Sequence, residues 1–125
     1  METQVEHGVE LTRVAFISDI HGNITALREV LKDIKEQKVD EIICLGDIVG
    51  YGAEPEACLD LVEEICSVCL KGNHDDALIT SPRHFNYVAA NAIYKIRKRM
   101  YPGFFANKTK RERWKYLVNL PLAVE

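Results

Sequence analysis

No uninterrupted apolar run in this chain is long enough to cross a bilayer, which excludes a helical membrane-spanning role. The opening stretch METQVEHGVE lacks the basic and apolar regions of a secretory signal. There is no internal sequence repeat and no low-complexity linker. Histidine is scarce, with four in all: His7, His21, His74 and His84. The four cysteines supply one C-x-x-C pair, Cys66 and Cys69, and no second pair at zinc spacing. CSVCL reads as a strand, where residues three apart face opposite ways. The thiols are therefore expected to be structural, buried and reduced, which points to a cytoplasmic compartment.

What the chain does have is enough apolar material for one core. Of 125 residues, 47% are hydrophobic and 28% charged, a globular balance rather than a disordered one. Residues 1–11 read as a loose N-terminal tail and residues 12–125 as a single domain.

Three short apolar runs break off abruptly into polar chemistry. VAFIS ends in Asp19, His21 and Asn23. IICL ends in Gly46 and Asp47, and CLKG ends in Asn73, His74, Asp75 and Asp76. Any one of these could be an ordinary turn. The spacing is regular, with 28 residues from Asp19 to Asp47 and 27 from Asp47 to His74. Each interval has room for one helix and one strand, as a βαβ unit requires.

The intervals read as helices. After Asn23, a plausible N-cap, Ile24, Leu27, Leu31 and Ile34 recur at helical spacing. Pro55 suits a first helical position, and Cys58, Leu61, Val62 and Ile65 form the stripe behind it. Strands are predicted at 13–18, 41–45 and 67–71. They are rich in Ile and Val, as buried parallel strands are. Parallel strands present their carboxyl ends on one edge, where ligand sites of open α/β sheets lie. Asp19, His21, Asp47, Asn73 and His74 are thus expected to converge.

DIH at 19–21, GDIVGYG at 46–52 and GNHD at 72–75 resemble the first three motifs of the calcineurin-like metallophosphoesterases. The resemblance runs well over residues 12 to 100 and more loosely beyond, and is strongest to the small single-domain prokaryotic members. It implies an α/β fold whose β-α-β-α-β parallel-sheet core is part of a four-layer α/β/β/α sandwich. It also implies a divalent-metal site, with two ions of Mn, Fe or Zn in the family. Matched position by position, Asp19 and His21 resemble ligands of the first metal, and Asp47 resembles the carboxylate bridging both. Asn73 resembles a ligand of the second metal that also reaches substrate. His74 resembles the histidine that contacts phosphate and protonates the leaving group, with Asp75 orienting it. The implied reaction is hydrolysis of phosphomonoesters or phosphodiesters by a hydroxide shared between the ions. Those residue types suit it, since paired ions lower the pKa of bound water and neutralise phosphoryl charge.

The family's later histidine motifs have no counterpart here, and LPLAVE resembles the start of a next strand. The expectation is a domain lacking its C-terminal half, with one metal position well furnished and the second weak. One sheet face should then lack its cover, so a homodimer or a complementing chain is expected. A metal- or phosphate-binding fragment without appreciable turnover is the first alternative.

Charge supplies the second alternative. Residues 1–82 carry 6 basic against 17 acidic groups, a net of −11, while residues 83–125 carry 10 against 2, a net of +8. Basic residues among aromatics, in YKIRKRM and KTKRERWKY, could bind nucleic acid. The plainer reading is two amphipathic helices, one with an apolar side of Ile93, Ile96 and Met100. The other would be capped by Thr109 and Glu112, with a stripe of Trp114, Leu117 and Val118. Attraction to the acidic half would then explain part of the asymmetry. Tyr51 reads as a packing residue and His84 as a surface one.

Overall fold

The computed structural model describes residues 12–125, together with the backbone of residues 5–6 and 9–10. The tail expected over 1–11 lies outside the described residues, except for a short antiparallel ladder of β1 (Val5–Glu6) on β2 (Val9–Glu10).

The parallel sheet expected from the three apolar runs is present. It consists of β3 (Val14–Ile17), β4 (Glu41–Cys44) and β5 (Val68–Cys69), with β4 in the middle. The register sets Ile17 opposite Cys44 and Cys44 opposite Cys69. The strands are shorter than the apolar runs that predict them. Parallel bonding continues for one residue, from Leu45 N–H to the Ile17 carbonyl and from Leu70 N–H to the Cys44 carbonyl. Beyond that, the loops turn toward each other.

Alternation along the strands sorts the side chains by face. Ile17, Cys44 and Cys69 point into the core. Phe16 and Leu45 point the other way and are 64% and 45% exposed, so that face is open among the described residues.

The crossover helices are α1 (Ile24–Glu36) and α2 (Pro55–Ile65). Asn23 caps α1, its side-chain oxygen accepting from Ala26 N–H at 3.0 Å, and Pro55 opens α2. Ile24, Leu27 and Ile34 of α1 are buried, as are Cys58 and Val62 of α2. Leu59 joins them, one residue outside the stripe read from sequence.

Asn73 to Ile79 form a helix, α3, where the sequence suggested a loop. It is followed by α4 (Tyr87–Met100) and α5 (Lys108–Val118). The buried side of α4 is Ala89, Ile93, Ile96 and Met100. The cap of α5 is Asn107, which accepts from Lys110 N–H at 2.9 Å, so Thr109 falls inside the helix. Leu117 is buried and Val118 is exposed.

The charge asymmetry has a structural use. Arg99 grips Glu56 through two bonds of 2.6 Å, and Arg113 grips Asp60 through two of 2.8 Å. Both are bidentate pairs that tie the basic helices to acidic α2. Arg97 donates to the Leu78 and Thr80 carbonyls and lies over the rings of Tyr101 and Trp114. These cations are committed within the chain. No helix among the described residues is long and apolar enough to cross a membrane.

Candidate metal centre

The loops after β3 and β4 are laced together by backbone bonds. Asp19 N–H donates to the Gly46 carbonyl at 3.1 Å, His21 N–H to that of Asp47 at 3.0 Å, and Gly22 N–H to that of Ile48 at 2.8 Å. In return, Gly52 N–H donates to the His21 carbonyl at 2.8 Å. The lacing forces the left-handed region on four side-chain-bearing residues of these loops. Their φ values are 56° at Asp19, 47° at His21, 57° at Asp47 and 63° at Tyr51. Such conformations cost on the order of 1–3 kcal/mol each and concentrate at functional sites.

The third loop is locked on by a carboxylate. Asp75, fully buried, accepts from the N–H groups of Asp47 (2.8 Å), Ile48 (2.9 Å), Val49 (3.2 Å) and Gly72 (2.9 Å). Burial pushes its pKa up, and the amide bonds oppose that shift. Asp47 accepts in turn from His74 N–H at 2.9 Å. Gly72 passes so near Asp47 that a Cβ there would collide with its carboxylate.

Asp19, His21 and Asp47 each offer a ligand atom, and these atoms lie within 4.8 Å of one another. His21 Nδ1 sits 3.0 Å from the Val49 carbonyl, which can only accept. Nδ1 therefore carries the proton, leaving the lone pair on Nε2, 3.5 Å from Asp19 Oδ1. The Ser18 hydroxyl donates to the Asp19 carboxylate at 2.6 Å and is the main cause holding its pKa below the usual value. Oxygen and imidazole donors suit borderline divalent ions, so these three residues fit such a metal.

His74 lies beside this trio, its ring 4.6 Å from that of His21. It is buried, and its Nδ1 has no hydrogen-bond partner. Burial first, then the neighbouring His21, lowers its pKa. Gly50, at φ 97°, makes room for it, since a Cβ there would lie 2.5 Å from His74 Nδ1.

The expected pairing of Asp75 with His74 is not found. All four hydrogen bonds of Asp75 go to backbone amides, because the helical turn of α3 aims it beneath the loops. Asn73 is the exposed first residue of α3, and its side chain makes no hydrogen bond among the described residues. His84 is exposed, as expected. Tyr51 does not pack in the core; it is 61% exposed.

The sequence reading missed Phe85, whose ring meets His74 edge to face at 4.8 Å. No local signal marks it, because the contact depends on how α4 docks.

Comparison with known proteins matches this architecture. The model of the calcineurin-like phosphoesterase family matches residues 12–124, and the chain belongs to that family. It is 41% identical over 114 residues to an uncharacterised protein of Methanocaldococcus jannaschii, covering 90% of this chain and 43% of that one. A metallophosphoesterase structure from Sphaerobacter thermophilus superposes with a TM-score of 0.66 at 39% identity. There the match covers 88% of this chain and 42% of the other. A structure provisionally assigned as a diadenosine tetraphosphatase shares the fold, with a TM-score of 0.61 at 22% identity over 88% of this chain and 43% of its own. The chain thus spans about two fifths of the length of the relatives it matches.

Proposed function

We propose that this chain forms the substrate-facing metal centre of a phosphoester hydrolase. The observation that carries the reading is the trio Asp19, His21 and Asp47, with ligand atoms within 4.8 Å and the His21 tautomer set by Val49. In this reading Asp19 and His21 hold one divalent ion of the Mn, Fe or Zn class. Asp47, together with Asn73, would help to hold a second. Bound there, the ions supply acidified water and positive charge against the phosphoryl oxygens.

The chain's own residues do the rest. His74, at the edge of the trio, offers a ring nitrogen for contact with phosphate and for proton delivery to the departing oxygen. Gly50 and Phe85 hold its ring in place. Asp75 fixes the Asp47–Val49 backbone, and so acts through Asp47 rather than on the substrate. The free thiols support a reducing, cytoplasmic setting.

The test joins metal titration with turnover of an aryl phosphate. Manganese should bind, Asp47→Ala should abolish binding, and His74→Ala should leave binding intact while lowering turnover about 10²–10⁴-fold. Metal binding with no turnover in any metal would reduce the chain to a metal-binding module. Turnover indifferent to Asp47 would remove the site assignment.

A further inference from the structure

Tyr51 stands in a place that packing does not explain. It lies between Gly50 and Gly52 with φ 63°, a conformation that glycine adopts freely and tyrosine resists. No core contact compensates, since the residue is 61% exposed. Its hydroxyl makes no hydrogen bond among the described residues. The ring sits against both site histidines, 5.2 Å from His21 and 4.9 Å from His74. The ring thus borders both histidines while most of its surface faces solvent.

A strained, exposed, positioned aromatic ring beside a phosphoryl site is suited to stacking on a flat group attached to that phosphoryl. We propose that Tyr51 is a substrate-contact residue that selects phosphoesters whose leaving group carries an aromatic ring, a nucleobase in particular. The phosphoryl group would lie at Asp19, His21 and Asp47, and the base against the outward part of the phenol. This rests on the phosphoester reading above, but its test does not require turnover.

Adenosine 5′-monophosphate and ribose 5-phosphate share the phosphoryl group and the alkoxide behind it, and differ by the base. Their affinities for the manganese-loaded full chain, measured by calorimetry, isolate the stacking contribution. Wild type should prefer the nucleotide. Tyr51→Gly should weaken the nucleotide about 5- to 100-fold, as loss of one base–aromatic stack does. Ribose 5-phosphate should change less than about 2-fold, because the phosphoryl contacts remain. Tyr51→Phe should keep the preference. Tyr51→Gly relieves a left-handed backbone, so its thermal midpoint should equal or exceed that of wild type, which shows that the fold survives.

Equal loss for both ligands would mean that Tyr51 only positions His74, and would overturn the proposal. So would a wild type with no preference, or one that binds neither ligand. A chain that binds with the expected preference but hydrolyses nothing would leave Tyr51 standing and remove the hydrolytic reading instead.

Discussion

His21 donates its Nδ1–H to the Val49 carbonyl at 3.0 Å, and that one bond decides which nitrogen is free for a metal. The two ring nitrogens therefore have separable duties, which two amides can imitate one at a time. His21→Asn can place its amide near the Nδ1 position and keep the bond to Val49, while His21→Gln reaches toward the Nε2 position. His21→Asn should unfold within about 1 kcal/mol of wild type. Its manganese affinity should fall by more than about 100-fold, because a ligand is lost rather than its support. Retained affinity in calorimetry would place the metal elsewhere.

Asp75 should be the most stability-critical polar residue of the site. Asp75→Ala strips the acceptor from four amides, those of Ile48 and Val49 buried, and should cost about 3–5 kcal/mol. Asp75→Asn keeps one oxygen but turns an amide donor toward amide donors, and should also destabilise strongly. Urea midpoints measure both. A near-native midpoint for Asp75→Asn would contradict the four-bond geometry.

Phe16 and Ile17 are neighbours on opposite faces of the sheet, so the same substitution should do different things. Ile17→Thr places a hydroxyl in the core and should cost about 2 kcal/mol or more. Phe16→Thr should change stability by less than about 1 kcal/mol, since that ring is largely exposed. It should instead reduce self-association, read by sedimentation velocity as a shift toward monomer. Unchanged association would show that the open face is not sticky.

The thiols should make the fold sensitive to alkali. Burial pushes Cys58 up to about 11 and Cys66 up to about 12, from 9.0 in the open chain. Below pH 9 both states hold these protons and the contribution is flat. Above it the unfolded chain ionises first, so stability falls from pH 9 until the folded thiols ionise as well. Cys66→Ser should flatten part of that slope in thermal melts. Native thiols should react slowly with a disulfide reagent at pH 8, whereas all four should react in urea.

The convergence of Asp19, His21 and Asp47 was legible because each stands just past an apolar strand, and parallel strands must bring such positions to one edge. The roles within NHDD were not. Two adjacent carboxylates look alike in sequence, and only the turn of α3 sends Asp75 inward and leaves Asp76 exposed. Likewise Asn107 and Thr109 are both acceptable caps, and it is Asn107 that accepts from the first turn of α5. Tyr51 looked like packing material because most tyrosines are. Its left-handed backbone, dictated by the lacing of two loops, is a tertiary property.

The amides of Asp47, Ile48 and Val49 find their acceptor 26 to 28 residues downstream. During synthesis, at roughly 5–20 residues per second, that acceptor reaches the ribosome's active centre about one to six seconds after the amides do. Through that interval those three amides lack their carboxylate acceptor, although the first loop, which laces to the second, has already been made. The carboxylate clamp on the second loop therefore waits for α3 to be made. A chain arrested before Asp75 carries Asp19, His21 and Asp47 but lacks the carboxylate that fixes the backbone of the last.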